Sequence, residues 1–92
     1  MKVRIRFFAR FRELLGTDIT VEPAEGTSFT DLVRQVARRK KEGYDAIFDG
    51  NGTFREFVIL MRNGKRVEAA DAEKVQISEG DEIAVFPPVS GG

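Results

Sequence analysis

One apolar stripe limits the folds open to this chain. Phe29, Leu32, Val33, Val36 and Ala37 recur at i, i+3, i+4, i+7 and i+8, the spacing of a single face on an amphipathic helix. Ser28 precedes the stripe and Asp31 follows three residues later, which reads as an N-cap resembling a capping box with Asp in place of Glu. There is no second long helix to receive that face, so the helix must lie on a sheet. Its aromatic and aliphatic residues are core rather than a cofactor box.

Strands to build that sheet are legible on both sides of the helix. Residues 2–7 alternate, with Val3, Ile5 and Phe7 on one face and Lys2, Arg4 and Arg6 on the other, the pattern of a half-buried strand. Phe8 falls on the charged face, out of pattern. Either it turns under the next segment or it is a contact for another protein. Ala9 to Leu15 predicts a short helical turn stopped by Gly16, and residues 17–22 alternate again around Ile19 and Val21, suggesting an antiparallel pair. After the helix, residues 42–55 show no regular pattern. Asp49-Gly50-Asn51-Gly52 is rich in turn signals, and the segment reads as a surface insertion. Its glycines do not make a dinucleotide fingerprint, and Asp45, Asp49 and Asn51 lack the spacing of a calcium loop.

Residues 56–61 predict a strand, and Asn63-Gly64 a tight hairpin into Lys65-Arg66-Val67. Val58, Ile59, Leu60 and Met61 leave both faces of that strand apolar, which calls for burial on both sides or for a partner on the second face. Ser78-Glu79-Gly80-Asp81 is a turn, and residues 82–86 form the last strand. The order is strand, strand, helix, strand, short strand, strand. The first and last strands sit centrally and parallel, with the intervening chain as crossover. This is an α+β fold, the ubiquitin-like β-grasp: a mixed sheet with one main helix packed across one face. The other face stays open, with Phe8 and Phe86 as close neighbours there.

The residue inventory removes several kinds of function. With 92 residues the chain forms one domain. It contains no cysteine and no histidine, so thiolate chemistry, disulfides, and the commonest general base and metal ligand are all missing. The serines have nothing to activate them, and no metal site or catalytic residue is assigned. Fifteen basic residues balance fifteen acidic ones, whereas a nucleic-acid binder shows a basic excess. The local cluster Arg38-Arg39-Lys40-Lys41 reads as cations at a helix C-terminus. No apolar run is long enough to span a membrane, and Met1 leads straight into an alternating strand, so the expected location is cytoplasmic.

The working part is read at the other end. A β-grasp domain over residues 1–86 hands on to a flexible tail, Pro-Pro-Val-Ser-Gly-Gly, over residues 87–92. Pro87 and Pro88 fix their own φ, and Pro88 holds Pro87 extended, so the tail should leave the body straight. Gly91 and Gly92 carry no side chain, so a narrow channel could admit the backbone up to the carboxyl carbon. A carboxylate is inert at neutral pH until another protein activates it. The alternative is a frayed, inert end on a non-covalent interaction module.

The opening Val3-Arg4-Ile5-Arg6-Phe7-Phe8-Ala9, continued by Arg12-Glu13-Leu14-Leu15-Gly16-Thr17-Asp18, resembles the start of MoaD, the small subunit of molybdopterin synthase. The ending from Gly80 through Phe86-Pro87-Pro88-Val89-Ser90-Gly91-Gly92 is similar to that family's end. The archaeal ubiquitin-like small modifier proteins are closer still, sharing the Phe48-Asp49-Gly50-Asn51-Gly52 insertion style, the turn from Leu60 to Gly64 and the same tail. The resemblance spans essentially the whole chain. It implies that an E1-like enzyme uses ATP to adenylate the carboxylate of Gly92, with Val89, Ser90 and Gly91 needed for access. Sulfur attack would then give a thiocarboxylate for donation within the large subunit of molybdopterin synthase, in molybdenum or tungsten cofactor synthesis. In the modifier branch, a lysine of a target protein would be joined to Gly92 as an isopeptide. No cofactor is implied for this chain itself. Phe8 and Phe86 are marked as apolar contacts on the partner-facing sheet surface. Lys2, Lys40, Lys41, Lys65 and Lys74 are candidate acceptors if the modifier forms chains on itself. Two departures stand out. An apolar position just after the hairpin in bacterial members falls at Arg66 here, and the insertion at 42–55 argues against the thiamin-pathway carrier ThiS.

Overall fold

The computed structural model describes residues 1–88; Val89, Ser90, Gly91 and Gly92 lie outside the described residues. Five strands form one sheet: β1 (Val3–Phe7), β2 (Asp18–Val21), β3 (Ile59–Arg62), β4 (Lys65–Val67) and β5 (Glu82–Phe86). Their order across the sheet is β2-β1-β5-β3-β4. Strands β1 and β5 run parallel at the centre, and every other pairing is antiparallel. The alternation of β1 becomes a two-sided surface. Val3, Ile5 and Phe7 are buried together with Ile83, Val85 and Leu60. The predicted stripe covers them: α2 (Phe29–Ala37) buries Phe29, Leu32, Val33, Val36 and Ala37. The Asp31 N–H donates to Ser28 Oγ at 3.1 Å, which satisfies one of the unpaired donors of the first turn. The hairpin at Asn63-Gly64 is also present, both residues having the positive φ that a primed turn needs. Three further helices are present: α1 (Ala9–Leu15), α3 (Lys41–Ile47) and α4 (Ala69–Ala72).

Several expectations are corrected. Residues 42–55 are not a surface insertion. Residues 42–47 belong to α3, and the segment supplies core: Ile47 and Phe48 are 0% and 1% exposed, and Phe54 is buried as well. Tyr44, Ile47 and Phe48 hold the i, i+3, i+4 spacing of a helical face, followed by an aromatic ladder of Tyr44 on Phe48 (centroids 4.9 Å apart) and Phe48 on Phe54 (4.7 Å). The turn around Gly50 and Asn51 faces solvent and is closed by Asp49 Oδ1, which accepts from the N–H of Asn51 and of Thr53. Arg34 ties this turn to the main helix by donating from Nε and Nη2 to the Gly52 carbonyl, while also pairing with Glu73 at 2.9 Å.

Arg38, the C-cap of α2, with Arg39 and Lys40 lies at the C-terminus of that helix as expected, and only Lys41 belongs to the next helix. Helix α2 stops at Ala37, Lys40 precedes α3, and Lys41 opens it, pairing with Asp45 one turn on at 2.7 Å. The third strand begins at Ile59, three residues later than expected, because the chain turns at Phe57. Helix α4, four residues long, has no periodic signal and was not expected. Among the described residues no helix is long and apolar enough to cross a membrane.

Candidate functional site

The side chains that alternate away from α2 make up the outer face of the sheet. One half of it is charged. Arg4 makes a paired contact with Asp18, both distances 3.2 Å, and it and Arg6 approach Glu82 at 3.8 and 3.7 Å. Toward the C-terminal ends of β1 and β5 the face becomes apolar. Phe8 follows the alternation outward, its N–H donating to the Val85 carbonyl at 3.3 Å, so it prolongs the ladder with β5 before α1 begins. Phe86 is the outward residue at the end of β5. The two rings stack 4.1 Å apart, 10° from parallel. The guanidinium of Arg6 lies 5.5 Å from the Phe8 ring centroid, within cation–π range. Phe86 is directly opposite Ile59 in the register, and Ala84 opposite Met61, so the apolar strip runs from β1 across β5 onto β3. All five of these side chains are half-buried.

Of the two readings left open for Phe8, the ring packs outward on Phe86 rather than beneath α1. The five candidate lysines are not gathered. Lys2 precedes β1, Lys65 opens β4, Lys40 and Lys41 mark the α2–α3 connection, and Lys74 follows α4, all of them exposed. The predicted tail residues Gly92, Gly91, Ser90 and Val89 lie outside the described residues. Their root is described: β5, hydrogen-bonded on both sides, ends at Phe86 and passes to Pro87 and Pro88.

A network at the opposite end of β5 fixes where that strand starts. Asp81, 6% exposed, accepts from Ser78 N–H (2.8 Å), Arg62 Nε (2.9 Å) and Asn63 Nδ2 (2.9 Å). Asn63 in turn accepts from the Glu82 N–H and donates its own N–H to the Glu82 carbonyl, both at 2.8 Å. Burial pushes the Asp81 carboxyl up, but these hydrogen bonds and the charge of Arg62 outweigh it and hold the group below its ordinary value. The register that brings Phe86 level with Ile59 and Phe8 is locked here.

One residue of this surface went unremarked in the sequence. Phe57 is 73% exposed, with φ +69°, and it borders a recess of about 430 Å³ with Ile59, Arg66 and Pro88. The available signal was the apolar excess of residues 57–61, too many for a strand with one buried face. Among the described residues no cluster of His, Cys, Asp or Glu could hold a metal ion.

Residues 5–92 match the model of the ThiS family. The chain belongs to the ThiS family. It is 30% identical to small archaeal modifier protein 3 of Haloferax volcanii, with both chains covered over their full length. It is 29% identical to the molybdopterin synthase sulfur carrier subunit of Escherichia coli, over 98% of this chain and 99% of that one. Among solved structures, SAMP1 from Haloferax volcanii superposes with a TM-score of 0.86 at 24% identity, covering all of both chains. That likeness establishes the ubiquitin-like β-grasp fold. These relatives lie on the modifier and molybdopterin side of the resemblance, as the residues at 48–52 and 80–92 anticipated, and the Escherichia coli relative is by name one subunit of a larger enzyme.

Proposed function

We propose that this ThiS-family chain is a ubiquitin-like carrier whose C-terminal Gly92 carboxylate is activated by an E1-like enzyme. That carboxylate attacks the α-phosphate of ATP, pyrophosphate leaves, and an acyl-adenylate forms with AMP as a good leaving group. Attack by a sulfur donor expels AMP and yields a thiocarboxylate for molybdopterin synthesis. Attack by a lysine amine, by way of the same activated carbonyl, yields an isopeptide. The chain itself is a carrier, not an enzyme, and ATP is bound by its partner.

The observation that carries this reading is full-length similarity to both a sulfur carrier subunit and a modifier, on a fold whose central strand leads directly into the Pro87-Pro88 root. The modifier branch is favoured alongside the carrier branch by the 30% identity to small archaeal modifier protein 3. The half-buried stack of Phe8 on Phe86 supplies an apolar contact for the E1-like enzyme or for a synthase large subunit.

Incubation of the purified chain with the E1-like enzyme of its own genome, ATP and a sulfide source tests the proposal, with intact mass as the readout. Replacement of one oxygen by sulfur at Gly92 is expected, together with Gly-Gly remnants on the lysines of other proteins in cell extracts. Removing Gly91 and Gly92 should abolish both. If both products persist after that deletion, or neither forms with the intact chain, the tail is inert and the chain is a non-covalent interaction module.

A further inference from the structure

Phe57 is unfavourably placed twice over. Its ring is 73% exposed, leaving a large apolar surface in water. Its φ of +69° belongs to the left-handed region, which a bulky side chain rarely occupies. Strained backbone and exposed aromatic surface in one residue call for an explanation outside the folded monomer. The recess beside it is floored by Ile59, which joins it to the Phe8–Phe86 strip through the β3–β5 register. Pro88, the first residue of the tail root beyond Pro87, forms another wall, so whatever grips the tail meets this recess. Arg66 forms the remaining wall. Arg4 and Arg6 on the same face are held by Asp18 and Glu82, whereas Arg66 makes no ion pair among the described residues. An unpaired guanidinium set in an apolar recess is complementary to a carboxylate beside an apolar side chain.

We propose that Phe57, Ile59, Arg66 and Pro88 form a docking recess for an acidic-apolar segment of the enzyme that activates the tail. An aliphatic or aromatic side chain of that segment fills the recess against Phe57 and Ile59, and an adjacent Asp or Glu pairs with Arg66. The recess thereby selects among activating enzymes, since a wholly apolar docking surface would leave the Arg66 charge buried and unpaired. This inference rests on the carrier reading above.

The test is ATP–pyrophosphate exchange by the recombinant E1-like enzyme of the same genome, with carrier concentration varied, alongside thermal unfolding of each variant. Phe57→Gly should raise KM for the carrier about tenfold or more with little change in kcat. Its Tm should stay level or rise, because glycine adopts that φ without strain. Arg66→Glu should raise KM at least as much, and raising the salt concentration should weaken the wild-type chain but not this variant. Wild-type KM for both variants overturns the recess while leaving the carrier reading intact. A sharp fall in Tm for Phe57→Gly makes the residue structural and overturns the inference too. A concentration-dependent dimer of the wild type, abolished in Phe57→Gly, would make a second copy the occupant and refute the proposal. Absence of exchange with the wild-type chain itself refutes the carrier reading and this inference with it.

Discussion

Replacing Asp81 by alanine removes the acceptor that joins the β3–β4 turn to the start of β5. Three donors lose their partner: Ser78 N–H, Arg62 Nε and Asn63 Nδ2, all within 2.9 Å. A hydrogen bond to a charged group contributes about 1.5–3 kcal/mol, but these donors are not all sealed off. The Arg62 side chain is 32% exposed and can turn to water, so part of the loss is recovered. A net cost of about 3 kcal/mol follows, less than the sum of three such bonds. For a domain of this size about 1 kcal/mol moves Tm by about 5 °C, so a fall of about 15 °C is expected in a thermal melt. The effect also has a pH signature. The folded-state pKa of Asp81 is depressed, so its contribution is complete above the unfolded carboxylate value of about 3.9 and is lost as pH falls through the lower folded value. Wild type and Asp81→Ala should therefore converge in stability on acidification, other carboxylates affecting both alike. A Tm loss below about 5 °C near neutrality, or a gap that does not narrow in acid, would refute the assignment of Asp81 as the ionised anchor of β5.

Two further outcomes follow from the same geometry. Phe86→Ala breaks a stack with 4.1 Å between centroids on a half-exposed surface; it should cost about 1–2 kcal/mol in urea unfolding yet weaken binding to the E1-like enzyme about tenfold or more by calorimetry. Gly43→Ala places a Cβ against the Leu15 side chain, about 2.6 Å from its Cγ, where α3 packs on α1; chemical denaturation should show about 1–3 kcal/mol of destabilisation, with adenylation of the folded protein unchanged.

The sequence by itself determined the elements whose apolar residues repeat with a fixed period. The period of two in residues 3–7, the helical stripe from Phe29 to Ala37, the Ser28 cap and the Asn63-Gly64 turn are all local instructions, and the sheet order follows from packing one helix on those strands. The pairing of Phe8 with Phe86 was also legible, since both sit one step out of phase with a buried residue on neighbouring parallel strands. Tertiary structure alone decided the rest. Ile47, Phe48 and Phe54 enter the core, with Tyr44 packed against it, because α3 lies against α1 and α2; the i, i+3, i+4 spacing of Tyr44, Ile47 and Phe48 covers a single turn, too short to mark a helix by period alone. The burial of Asp81 arises where the turn that opens β5 meets the β3–β4 hairpin, two segments distant in the chain. The exposure of Phe57 likewise follows from where the chain turns to enter β3. Periodicity records which side of a segment avoids water; which neighbour covers that side, and which ring is left outside, depends on contacts between residues that the chain order keeps far apart.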